Sequence, residues 1–169
     1  MTIIVEDDTG LADANSYTDA VTFKAYHKDR GTTFDKSSTE IEQGLIIATD
    51  YIDRRFGGMF KGVKEFITND LEFPRTSLYN RAGILVTGIP NKLVFAVCEY
   101  AAKSFDGSLF LDPVVDTTGL RRIGLREKVG PIETETRYAE STTSQVLKPY
   151  PVADRLLSEY LFSSGSVTR

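Results

Sequence analysis

The chain has one cysteine, Cys98, and one histidine, His27, in 169 residues, and these scarcities remove whole classes of chemistry. A single thiol forms no intrachain disulfide, which suits assembly in a reducing cytoplasm. A lone histidine with no neighbouring cysteine supplies no zinc set, and Asp29 lies off its helical face. No apolar run approaches the ~20 residues that cross a bilayer, so no membrane partner is expected. Ile3-Ile4-Val5 passes straight into Glu6-Asp7-Asp8 rather than into a secretory core and cleavage site, and export by a signal peptide is not expected. Positive charge is also short: Lys and Arg number 20 against 24 Asp and Glu, a net charge of −4. A protein that coats nucleic acid gains affinity by displacing counterions, and an acidic balance supplies no such general attraction.

What is present is globular. Hydrophobic residues at 41% and charged ones at 26% exclude a disordered or fibrous chain, and the length suits one domain with an arm. Ser16, with Asp19 three residues on, reads as a variant capping box opening a helix that runs to about Asp29, with Gly31 as its left-handed cap. Tyr17, Ala20 and Val21 mark its apolar face. Ser37 and Glu40 form a second capping box, followed by Ile41, Leu45, Ala48, Ile52 and Phe56 at helical spacing, with Ile46, Ile47 and Tyr51 widening the stripe. Gly57-Gly58 ends it. A third helix opens at Pro90, with Ile89 as its staple and Leu93, Val94, Ala96, Val97, Tyr100 and Ala101 on the buried side. The stretch between Gly57 and Pro90 has no helical period and requires local order of another kind.

Past Asp112-Pro113 the period becomes two. Ile123, Leu125, Glu127 and Val129 alternate with Arg122, Gly124, Arg126 and Lys128, and after Gly130-Pro131 a second alternating run reaches Tyr138. This predicts a β-hairpin with a mainly basic strand set against a mainly acidic one. Pro149 and Pro151 then introduce a short helix with Val152, Leu156, Leu157, Tyr160 and Leu161 on its apolar side. The expected fold is therefore mainly α: a helical body over 1–112, a β-hairpin arm over 113–145, and a C-terminal docking helix with an extended tail over 146–169.

No constellation supports an enzyme. The chain has no Walker loop, dinucleotide fingerprint or nucleophile elbow. The acidic stretch Glu6 to Asp13 lacks the ligand spacing of a calcium loop and reads as a solvated turn. Asp50 and Asp53 are set beside Arg54 and Arg55 for ion pairing, and Cys98 sits mid-helix as a small buried hydrophobe. Catalytic residues, metal ligands and cofactors are accordingly expected to be none. The 18 aromatics fall mostly on apolar faces, where packing explains them. Arg121, Arg122, Arg126 and Lys128 form the best basic cluster, which is either a phosphate contact or a protein-docking edge.

The segments Thr2-Ile3-Ile4-Val5-Glu6-Asp7 and Thr9 to Tyr17, then Ala48-Thr49-Asp50-Tyr51-Ile52-Asp53, Pro74-Arg75 and Ile89-Pro90, resemble tailed-phage proteins of the DnaT-like single-stranded DNA-binding family. Phe73 departs from that pattern, which has tryptophan before Pro-Arg. The later order, a strand ending at Val129-Gly130, a strand through Tyr138, then Pro151 and Leu156-Leu157, is similar to phage head–tail connector adaptors. That resemblance implies a virion protein at the neck, made in the host cytoplasm. It would form a homo-oligomeric ring, commonly of twelve, between the portal protein and a stopper or tail protein, with double-stranded DNA passing without sequence-specific binding. The residues expected to contact partners are Arg121, Arg122, Arg126, Lys128, Tyr138, Leu156, Leu157, Tyr160 and Leu161. The alternative is a replication accessory protein that binds single strands through the basic cluster and Tyr138.

Overall fold

A computed structural model describes residues 2–110, 122–128, 133–138 and 148–162. Two units are distinct: a body of Met1–Leu109 with Pro149–Arg169, and a second unit, Phe110–Lys148. The body contains α1 (Ala20–Lys28), α2 (Ser38–Phe56), α3 (Asn91–Ser104) and α4 (Pro151–Leu157). Helix α2 packs along α3, and α3 packs along α4. The capping box is present as expected: Ser37 accepts from the Glu40 N–H, and the Glu40 carboxylate accepts from the Ser37 N–H at 2.9 Å. These hydrogen bonds hold the Glu40 carboxyl down at about 2. Ile41, Leu45, Ala48, Ile52 and Phe56 are all buried, as their spacing requires.

Helix α1 starts later than the sequence suggests. Asp19 is its N-cap, accepting from the Thr22 N–H at 2.7 Å. Ser16 is instead held by a parallel bridge to Val5, and its hydroxyl donates to the Thr18 carbonyl. The buried face is Ala20, Phe23, Tyr26 and His27, while Val21 is 75% exposed. Gly31 has the expected left-handed backbone, φ +74°. Ile47 and Val152, placed on apolar stripes by spacing alone, are likewise exposed.

The region between α2 and α3 is ordered by two short antiparallel ladders. Strands β1 (Val63–Lys64) and β2 (Arg75–Thr76) form one, and β3 (Leu78–Tyr79) and β4 (Leu85–Val86) the other. Gly62 has φ +74°, and a Cβ there would sit 2.5 Å from the Thr76 carbonyl oxygen, so this turn excludes every other residue type. The Phe73-Pro74 peptide is cis. Phe73 is fully buried, edge-on to Phe60 at 4.9 Å and to Tyr17 at 6.0 Å.

The C-terminal helix belongs to the body and is not a separate docking segment. Ala153, Leu157 and Tyr160 are buried in the same core as α2 and α3, and Phe60 bridges antiparallel to Leu161. The second unit holds β5 (Arg122–Lys128) and β6 (Glu133–Tyr138), paired antiparallel with an irregularity between Arg122 and Gly124. The expected hairpin is thus present, each strand within a residue or two of its predicted bounds.

Candidate functional site

The body's polar interior includes three knots that hold its loops. In the first, the Tyr17 hydroxyl donates to the Asp53 carboxylate at 2.8 Å and accepts from the Glu72 and Phe73 N–H groups at 3.0 and 3.2 Å. The Glu72 N–H also reaches Asp53, at 3.1 Å. Asp53 therefore does not sit on the polar side with its arginine neighbours. Arg54 pairs with Asp50 at 2.8 Å, the ion pair its spacing predicts, while Asp53 turns inward. Burial raises the Asp53 carboxyl to about 7, the hydrogen bonds from Tyr17 and Glu72 offsetting part of that rise. The same burial, reinforced by the adjacent Asp53 charge, pushes the Tyr17 hydroxyl well above its ordinary range.

This has a sign that can be measured. The folded state holds the Asp53 proton more tightly than the unfolded state, so the contribution to stability is full below about pH 4 and is lost as pH rises toward 7. We expect the wild type to lose roughly 2 kcal/mol relative to Asp53→Asn between those limits, the full linkage being reduced by the partial exposure of the group. Urea titrations of both proteins across that interval measure the difference. Parallel curves would contradict it.

In the second knot, buried Arg75 donates to the carbonyls of Lys61 (2.9 Å), Gly62 (3.1 Å) and Phe60 (3.3 Å), and pairs with the Glu72 carboxylate at 2.7 Å. In the third, Asp154 on α4 accepts from the Tyr100 hydroxyl on α3, from the Tyr150 N–H (3.1 Å) and from Arg55 on α2 (3.2 Å). One carboxylate thereby joins three helices. Glu6, expected in a solvated turn, is buried too: it accepts from Asn69 at 2.9 Å and from the Gly10 N–H at 2.7 Å.

His27 and Cys98 are both packed into the body. The His27 Nε2–H donates to the Cys98 carbonyl at 3.2 Å, and burial holds the imidazole pKa below its ordinary value. Burial pushes the Cys98 thiol up to about 12, far from a thiolate nucleophile. Among the described residues no three His, Cys, Asp or Glu side chains form a metal cluster. The body's aromatics stack on one another. Phe23, His27, Phe34 and Phe105 form one group, and Tyr51, Tyr100 and Tyr150 another. Exposed aromatics among the described residues are Tyr79, Phe110 and Phe162.

The residues expected to contact partners divide sharply. Leu157 is fully buried and Tyr160 nearly so, and both are covered by the protein's own core; Leu156 and Leu161 are half-buried against it. The sequence pattern missed this because an apolar face made for α3 looks the same as one made for a partner. Arg122, Arg126, Lys128 and Tyr138 lie on the hairpin, whereas Arg121 falls outside the described residues. In the ladder Arg126 stands opposite Glu135, Lys128 opposite Glu133, and Arg122 opposite Tyr138. The second unit as a whole carries six Lys and Arg against six Asp and Glu.

Two of the body's open concavities gather charged side chains. One, of about 810 Å³, lies along α3 and α4 and is lined by Arg30, Arg81, Lys92 and Arg155, with Glu99 and Glu159. The other, of about 470 Å³, lies beside α2 and is lined by Asp50, Asp53, Asp70, Arg54 and Thr49.

Together these features define a small, mainly helical body and a second unit with one two-stranded antiparallel ladder among its described residues. The chain belongs to the family described as "Putative DnaT-like ssDNA binding protein", whose model matches residues 1–169. No curated protein and no solved structure matches it.

Proposed function

We propose that the chain is a structural adaptor of a tailed-phage neck, a homo-oligomeric piece that joins the portal to the next neck or tail protein while DNA passes. The observation that carries this reading is the second unit. Among its described residues the only sheet is the two-stranded β5–β6 ladder, and such a ribbon is marginally stable alone. It gains stability by laying an edge or face on another surface. With six charges of each sign that surface is better a protein than a phosphate backbone, which would need an excess of Lys and Arg. The body's net negative charge lets a duplex move past without being gripped.

Charge reversal on the hairpin tests it. Arg122→Glu with Arg126→Glu is expected to leave the body's unfolding midpoint unchanged, since neither residue belongs to the body, and to weaken capture on portal rings and ring assembly by at least tenfold. Unaltered capture and assembly would count against the adaptor. A truncation after Tyr150 is a poor substitute, because it deletes Asp154, Leu157 and Tyr160 from the body.

A second reading is favoured by the family description: a single-strand binder that uses Arg122, Arg126, Lys128 and Tyr138 on the hairpin. Such a protein shows a steep loss of affinity with salt, from which the two readings are told apart.

A further inference from the structure

The concavity along α3 and α4 and the one beside α2 differ in the charge of their linings. Along α3 and α4, Arg30 lies over the Tyr26 ring at 3.5 Å and Lys92 pairs with Glu159 at 2.7 Å. Glu99 accepts from the Tyr26 hydroxyl at 2.8 Å. Arg81 and Arg155 are exposed, and among the described residues neither is in an ion pair, so the groove retains unneutralised positive charge. Val152, 65% exposed, adds an apolar element to the same groove. Beside α2 the balance is reversed. Asp50 is paired with Arg54 and Asp53 is turned inward to Tyr17, while exposed Asp70 has no further cation beside it in the lining. Thr49 lines that cavity; it is 1% exposed and its hydroxyl has no hydrogen-bond partner, so the cavity holds a buried polar atom with unmet bonding capacity.

The two sites are on different flanks of the body. Tyr51 and Arg55 face α4, through the Tyr150 ring at 5.9 Å and the Asp154 carboxylate. Thr49 and Asp53, two positions from Tyr51 on either side, are turned by about 160° around α2 and meet the loop near Leu71. A patch that is basic on one flank and a patch that is acidic on another cannot satisfy each other within one copy. Between copies they can, head to tail, and that heterologous arrangement closes into rings or runs into filaments.

We propose that the basic groove at Arg81 and Arg155 of one copy docks on the acidic cavity at Asp50 and Asp70 of a second copy, forming a heterologous self-contact. This rests on the adaptor reading in that it supplies the subunit interface such a protein needs. Nucleic acid is the poorer occupant of the groove: its lining aromatic, Tyr26, is buried under Arg30 and held by Glu99, so it presents no face for a base.

A charge swap decides it. All four residues are exposed, so R81E/R155E and D50R/D70R are expected to keep the wild-type circular dichroism and melting curve. In sedimentation velocity of the full chain we expect reversible, salt-sensitive self-association of the wild type. Each double variant alone should associate at least tenfold more weakly, because each then meets itself with like charge. Mixing the two restores acid against base at every contact and should recover association. A wild type that stays monomeric at high micromolar concentration overturns the proposal. So do variants that associate like the wild type, and a mixture that fails to recover. If association persists through other surfaces, the adaptor reading survives and this contact does not. The adaptor reading itself fails separately, on portal capture.

Discussion

Arg75→Met is expected to destabilise the body by about 3–5 kcal/mol, the largest effect of any single substitution considered. The guanidinium satisfies three carbonyls of the loop after α2 and one carboxylate, and methionine replaces its volume but none of its donors. Glu72, whose side chain is 30% exposed, then loses its ion-pair partner. Arg75→Lys should recover little, because an ammonium cannot span the carbonyls of residues 60, 61 and 62 with a planar fork. Chemical denaturation measures both variants. A loss under 1 kcal/mol for methionine would mean that the loop is held by its ladders and its packed aromatics alone.

Asp154→Ala should cost about 2–4 kcal/mol and should act locally first. The substitution removes the common acceptor of Tyr100, Tyr150 and Arg55, and with it the polar tie between α4 and the helices beneath. Helix α4 has only seven residues and no side-chain cap, so it depends on this tie and on Ala153 and Leu157. Amide exchange in residues 151–157 is expected to accelerate before exchange in α2. Uniform acceleration across the body would show instead that α4 and α2 open together.

The parts of this fold that were legible in the sequence are those whose causes are local. The Ser37–Glu40 box, the stripe from Ile41 to Phe56, Pro90 at the start of α3 and the period of the hairpin all depend on residues within a few positions of one another. Where the cause lay far along the chain, the reading missed it. Asp53 looks like half of an ion pair until Tyr17 and Glu72, 36 and 19 residues away, are brought to it. Arg75 stood out only as part of a family marker, since its carbonyl partners are set by the turn at Gly62. The N-cap of α1 moved from Ser16 to Asp19 because the bridge to Val5 holds Ser16 extended. The apolar side of α4 is expected from the sequence to meet a partner, whereas Leu157 and Tyr160 are covered by the body's own core.

The surfaces were legible only in outline. The basic cluster on β5 was visible, and so was the acidic character of its partner strand, but the opposition of Arg126 to Glu135 and Lys128 to Glu133 needed the register. The concavity at Arg81 gathers residues from four segments and that at Asp70 from three, and neither leaves a pattern in the linear chain.

Fluorescence anisotropy of a labelled single-stranded oligonucleotide, titrated with the purified full chain across a salt series, tests the central claim most directly. A protein built to meet other proteins is predicted to show no binding at cellular ionic strength and only a shallow response at low salt. Tight, saturable binding that weakens steeply as salt is raised would contradict that account and establish a single-strand binder in its place.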